Sequence, residues 1–208
     1  MSQLQSALDA FKNGDFIIVT DDADRENEGD LFILAAKATA EKVGFMVRHT
    51  TGILCVAMTQ DRARHLRLPL MVEENQDSKK TAFTVSVDYK VGLTTGVSAT
   101  ERANTARALA DSNAAHSDFI RPGHVFPLIA DKGGLRARRG HTEAGVALAQ
   151  IVGAAPLTLL SEIVAEDGSM ARGQSLIDFA TQYSIPMVSI QELIDIAPVV
   201  EEVGSDYE

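Results

Sequence analysis

Six carboxylates fall within ten positions of this chain, where DDADRENEGD carries Asp21, Asp22, Asp24, Glu26, Glu28 and Asp30. Packing so much negative charge together is costly unless a cation sits among it, and hard divalent ions such as Mg²⁺ and Mn²⁺ take oxygen ligands of this kind. Asp22, Asp24, Glu26, Glu28 and Asp30 alternate. An extended chain would present all five on one face and leave Arg25, Asn27 and Gly29 on the other. A solvated acidic turn is the competing reading. A calcium loop fits poorly, because it needs Gly at its sixth position and Glu at its twelfth. Counting from Asp22 gives Asn27 and Ile33, and counting from Asp24 gives Gly29 but Ala35.

A second constellation lies far along the chain. ARRGHTEAG runs Arg138, Arg139 and Gly140 into a helix that should begin near Thr142. A helix N-terminus offers free N–H groups and partial positive charge, so it suits a phosphate. His141, beside it, can ligate a metal or move a proton. A helix cap with solvated arginines is the alternative. TTGVSATER, from Thr94 to Arg102, is a similar turn feeding a helix through a Ser98–Glu101 capping box. His124 sits in the proline-stiffened loop RPGHVFP, and a lone loop histidine is usually inert. Glu162 lies in LTLLSEIVA, where a buried carboxylate is either paired, working as an acid or base, or turned to water at a strand edge. Cys55 in GILCVAM reads as a core thiol rather than a nucleophile.

The elements that must position these residues follow from hydrophobic periodicity. Strands are expected over 16–20, 31–36, 52–58, 82–89 and 157–165 and through IPMVSI, with one in HVFPLIA interrupted by Pro127. Helices are expected over 3–12, 39–48, 61–66, 99–110, 142–152 and 175–182, and a short last one capped by Ser189 and Glu192. Residues 69–81 read as a mobile polar loop that could act as a lid, and 200–208 as a frayed acidic tail. Strands and helices mix without strict alternation, and two strands meet at the acidic segment. The expected fold is therefore α+β, a mixed parallel and antiparallel sheet in one domain spanning 1–208.

The 208 residues are 45% hydrophobic and carry a net charge of −10, which argues against general nucleic-acid binding. No apolar run is long enough to span a membrane, and the first residues lack a secretory pattern. With a single cysteine, a cytoplasmic location is expected. Together the motifs describe a metal-dependent enzyme for a small phosphorylated molecule, and spacing alone names no reaction.

The chain resembles the 3,4-dihydroxy-2-butanone 4-phosphate synthases of riboflavin biosynthesis through DDADRENEGDL, TTGVSA, RPGHVFPL, RRGHTEA and SEIVAEDGSMAR. The resemblance implies a three-layer α+β sandwich and a homodimer with active sites at the subunit interface. It implies a lyase that converts D-ribulose 5-phosphate to L-3,4-dihydroxy-2-butanone 4-phosphate and formate with Mg²⁺ or Mn²⁺, two ions per site. Glu26 and His141 are then the metal ligands. Arg25, Glu26, Asp30, Thr95, Arg138, Arg139, Gly140, His141, Thr142 and Glu162 are substrate contacts, with Arg139 in a variable slot. Glu28, His124 and Glu162 are the catalytic residues. Three positions depart from the family: Ser161 where Cys is usual, Glu101 where Asp is usual, and Ala147 where Asp is common. Many relatives carry a second, zinc-binding cyclohydrolase domain, so a chain of this length with only Cys55 is expected to be monofunctional. The remaining alternatives are another metal-dependent sugar-phosphate lyase or isomerase, and a relative that only binds phosphorylated ligands.

Overall fold

The computed structural model describes residues 3–197. The acidic stretch 200–208 lies outside them. A seven-stranded sheet forms the middle layer, built from β1 (Ile17–Thr20), β2 (Gly29–Leu34), β3 (Cys55–Met58), β4 (Val87–Tyr89), β5 (Phe119–Ile129), β6 (Thr158–Glu162) and β7 (Met187–Ser189). Its order is β4-β5-β3-β6-β2-β1-β7. The β1–β7 and β3–β5 pairs are parallel and the others antiparallel, as expected for a mixed sheet.

Period-two alternation divides the apolar residues between two cores. Ile18, Leu31, Ile33, Val56 and Leu159 face one side, and Ile17, Val19, Phe32, Leu34 and Leu160 the other. The first face is covered by α2 (Ala40–His49), α3 (Gln60–His65), α4 (Ala99–Ala110) and α7 (Gln174–Tyr183) through Val43, Met46, Ala106, Leu109 and Leu176. The second is covered by α1 (Gln3–Asn13), α5 (Gly134–Ala137), α6 (His141–Ile151) and α8 (Ile190–Ile196) through Phe11, Leu135, Leu148, Ile190 and Leu193. Each fully buried Leu, Ile or Phe contributes about 1.5–3 kcal/mol, so both outer layers are held by their apolar stripes. The result is the expected α+β sandwich of three layers.

Three local expectations are corrected. Pro127 does not interrupt its strand. β5 spans Phe119–Ile129 and pairs with β3 from Phe126 through Pro127 to Ile129, and the Pro127 carbonyl accepts from Thr84 N at 3.0 Å. The strand expected over 82–89 keeps only Val87–Tyr89, with isolated bridges at Phe83 and Thr84. The acidic segment is not extended. Asp22 O accepts from Arg25 N at 2.9 Å and from Asn27 N at 3.3 Å, and Asn27 is left-handed at φ 56°. The chain thus curls into a turn between β1 and β2, which removes the shared face that five alternating carboxylates would have had.

Candidate active site

The curled acidic turn is organised by Asp21, whose side chain is fully buried. Its Oδ2 accepts from Arg25 Nη1 at 2.9 Å and from Glu26 N at 3.1 Å, while Oδ1 accepts from Glu28 N at 2.9 Å. Arg25 Nη1 also donates to Glu26 Oε2 at 2.5 Å. Arg172, just before α7, grips the turn from outside. It donates to the Glu28 carboxylate and, through Nε, to Glu26 O at 3.2 Å. Neither Asp21 nor Arg172 had an assigned role in the sequence, because each acts through partners that only the folded chain brings near.

His141 opens α6 on the same sheet face. Its Nε2 lies 3.2 Å from Val19 O, to which it donates, so Nδ1 carries the lone pair. Burial lowers the His141 pKa and favours the neutral ring that metal ligation needs. Nδ1 lies 3.9 Å from Glu26 Oε2 and 3.6 Å from Asp30 Oδ1. Ligand atoms of Asp21, Glu26 and His141 lie within 4.8 Å of one another. Asp21 is already committed to three N–H donors and Glu26 to one, from Arg25, so Glu26 and His141 are the pair with more capacity left for an ion. Asp30 Oδ1 is buried with no hydrogen-bond partner. Burial first, then Glu162, Glu26, Glu28 and Asp21, push the Asp30 carboxyl well above its ordinary range. An oriented imidazole lone pair, a neighbouring carboxylate and an orphaned buried oxygen fit a divalent cation.

Asp30 and Glu162 are register partners across β2 and β6, so both point to the same face. They line a cavity of about 240 Å³ together with Arg25, Glu26, Arg138, His141 and Thr142. Its size suits a small metabolite rather than a larger ligand. No side chain caps Gly140, so the first-turn N–H groups of α6 stand free beside the cavity. Lys79 and Thr81, from the segment expected to be loose, also line it. Lys79 Nζ donates to Arg25 O at 2.9 Å, and Arg138 Nη2 donates to Thr81 Oγ1 at 3.0 Å. Cys55 also lines the cavity, and burial, with Asp30 and Glu162, raises its pKa and keeps it a thiol. Ser161, in place of the usual Cys, lies 2.9 Å from Thr50 Oγ1.

Four of the residues expected at the site lie elsewhere. Arg139 turns to Asp22 at 2.8 Å and Gln191 at 2.9 Å, beside a wider groove outside the cavity. Glu28 is held in its pair with Arg172. His124 and Thr95 form a second cluster. His124 Nδ1 lies 2.7 Å from the buried Asp88 Oδ2, so it donates there and leaves Nε2 open. Gly96, at φ +82°, is required at this point, because a Cβ would come within 2.1 Å of Asp88 Oδ2 and 2.8 Å of His124 Nδ1. The turn that carries Thr95 and Gly96 is fixed by Glu101. Its carboxylate accepts from Thr94 N at 2.6 Å, Thr94 Oγ1 at 2.8 Å and Ser98 Oγ at 2.7 Å. Glu101 thus completes the capping box in place of the usual Asp. Asp88 was the missed residue here; its one signal in the sequence was a charge in an otherwise strand-like run.

The 3,4-dihydroxy-2-butanone 4-phosphate synthase family model matches residues 5–196. The chain belongs to that family. It is 44% identical to the 3,4-dihydroxy-2-butanone 4-phosphate synthase of Proteus mirabilis over 93% of this chain and 89% of that one. It is 52% identical to a probable bifunctional riboflavin biosynthesis protein, chloroplastic, of Oryza sativa over 93% of this chain, but spans only 36% of that protein. Against the Bacillus subtilis riboflavin biosynthesis protein, at 50% identity, it spans 48%. It therefore covers half or less of the length of several curated relatives. A crystal structure of a family synthase in complex with two magnesium ions superposes with a TM-score of 0.89 at 44% identity, covering 94% of this chain and 96% of that one. A cation-free family structure superposes with a TM-score of 0.87.

Proposed function

We propose that this protein is a lyase of riboflavin biosynthesis, converting D-ribulose 5-phosphate to L-3,4-dihydroxy-2-butanone 4-phosphate and formate. The observation that carries the reading is the Glu26–His141 pair. The histidine ring is oriented by Val19 O with its lone pair near the Glu26 carboxylate, beside the orphaned Asp30 and a helix N-terminus. Glu26 and His141 would hold the divalent ions, Mg²⁺ or Mn²⁺ and two per site. When bound, they supply Lewis-acid stabilisation of enediolate charge.

The chain's own residues do the rest. Arg138, Gly140, Thr142 and the free N–H groups of α6 hold the phosphate, which is a handle rather than a reacting group. That hold, with Arg25, which also lines the cavity, fixes the carbon skeleton in place. Asp30 and Glu162, side by side in register, are placed to take and return protons, each worth about 10²–10⁴-fold. Glu162 acts late in the sequence. Glu162→Gln should abolish turnover while cation binding is kept, and normal turnover would remove that role.

His124 serves the reaction as the open Nε2 of a histidine oriented by Asp88. It is not among the residues that line the cavity of its own chain. A homodimer with sites at the interface resolves this, with Thr95 and His124 of one copy completing the cavity of the other. Exposed apolar side chains support a covered surface here: Ile53 lines the cavity, Met71, between exposed Leu70 and Val72, bonds the lining residue Phe83, and Val97 adjoins Gly96. The decisive assay is formate release from ribulose 5-phosphate with Mg²⁺, with and without a chelator. Metal-dependent formate is the expected result, and its absence would overturn the reading.

A further inference from the structure

Glu143 is only 1% exposed, sits in the first turn of α6 and has no role in the chemistry above. A buried carboxylate is costly unless it is fully engaged, and both of its oxygens are. Oε2 accepts from Arg138 Nη1 at 2.6 Å, and Oε1 accepts from Asp131 N at 2.9 Å. The other side of the same guanidinium is held by the 79–81 segment. Nη2 donates to Thr81 Oγ1 at 3.0 Å and to Lys79 O at 3.2 Å, and Nε to Lys79 O at 3.4 Å. Of the five N–H bonds of arginine, one on Nη1 is left uncommitted.

Gly140 is part of the same device. A Cβ there would come within 2.3 Å of Arg138 Nη1 and 2.8 Å of Glu143 Oε2. The glycine is therefore needed for the ion pair to pass over the start of the helix, in addition to leaving its N–H groups uncapped. The side chain of Glu143 and the free N–H groups belong to one helical turn, so the pair locks the guanidinium to the anion-binding end of α6 as a single rigid unit. A long, flexible arginine otherwise loses considerable rotamer entropy on gripping a ligand.

We propose that Glu143 is a positioning residue that pre-orients Arg138 for the substrate phosphate, with Gly140 providing the passage. The inference rests on the reading of Arg138 as part of the phosphate cradle. It makes a signed prediction, because a carboxylate that merely sequestered the arginine would weaken phosphate binding, whereas a positioning carboxylate strengthens it.

The test compares the full-length wild type with E143Q, R138Q and the double variant. It follows formate release from ribulose 5-phosphate and inhibition by inorganic phosphate. Glu143→Gln keeps the shape and the acceptor for Asp131 N while removing the charge that holds Arg138. It should raise KM and the inhibition constant for phosphate in parallel, by about 10- to 100-fold as for a charge-assisted hydrogen bond. The kcat should stay within a few-fold of wild type, and adding E143Q to R138Q should cost nothing further. E143D, which keeps the charge but withdraws it by one methylene, carries the same test if E143Q does not fold. An unchanged or lower KM, a loss confined to kcat, or additive effects in the double variant would overturn the proposal. An inactive wild type would instead sink the reading of the whole site, and this inference with it.

Discussion

The Glu26–His141 cavity and the Asp88–His124 cluster are opposite kinds of half-site. In the cavity, a carboxylate oxygen is buried with no partner, and four neighbouring carboxylates raise the Asp30 pKa further. In the cluster, both carboxylates are engaged within the chain: Asp88 holds His124, Glu101 holds the Thr94–Ser98 turn, and His124 remains partly exposed. The first region is electrostatically unfinished and calls for a cation. The second is complete in itself and presents one imidazole nitrogen outward. A reaction that needs both charge stabilisation and proton transfer can use this division, keeping the proton carrier away from the field of the metal until the two parts meet.

The comparison can be broken most forcefully on the cavity side. Glu26→Gln or His141→Ala should reduce turnover to background, a loss of about 10³-fold or more, and should abolish the thermal stabilisation given by Mg²⁺. On the cluster side, His124→Ala should cost about 10²–10⁴-fold in kcat yet leave the Mg²⁺-induced rise in Tm intact. Asp88→Asn should cost less in kcat, since it weakens the hold on the imidazole, and should likewise leave the Mg²⁺-induced rise in Tm intact. If His124→Ala removed the magnesium response, the two regions would not be separable.

Smaller effects sharpen the division. Arg172→Ala releases Glu28 and the Glu26 carbonyl from outside the turn, and should lower kcat/KM by roughly three- to tenfold, as expected of a half-exposed ion pair. Steady-state kinetics at two magnesium concentrations would check it, with the larger defect at the lower one. The smallest effect concerns Glu101. Ser98 first, then Thr94, hold its carboxyl down to about 2 from the ordinary 4.5. A depressed carboxylate stabilises the fold above pH 4.5, and that contribution is lost as pH falls toward 2. Tm measured across that window should fall less steeply for Glu101→Gln than for wild type, with little change between them in slope near neutrality.

What could be read from the sequence was what depends on near neighbours. The Ser98–Glu101 and Ser189–Glu192 capping boxes are local devices and stand where their spacing placed them. The strands flanking the acidic segment and the helix that follows Gly140 were likewise set by periodicity over a few residues. Long-range partners were not legible. Asp21 looks like any other member of an acidic run until its oxygens meet Arg25, Glu26 and Glu28. Glu143 belonged to a recognised motif without a task, because its task depends on how Arg138 folds back over Gly140. The reading of Pro127 as a break failed for a related reason. A proline lacks a donor, but its carbonyl still pairs with Thr84, and β3 pairs with β5 from Phe126 to Ile129.

The central claim is that one active site is assembled from the cavity of one chain and the His124 cluster of another. Co-expression of Glu26→Gln and His124→Ala chains under different affinity tags, followed by tandem purification, gives a mixed dimer that tests it directly. One of the two active sites then carries both lesions and the other carries none. Formate release from ribulose 5-phosphate should reappear in the mixed dimer although each parent is inactive. A mixed dimer as inactive as its parents would contradict the account.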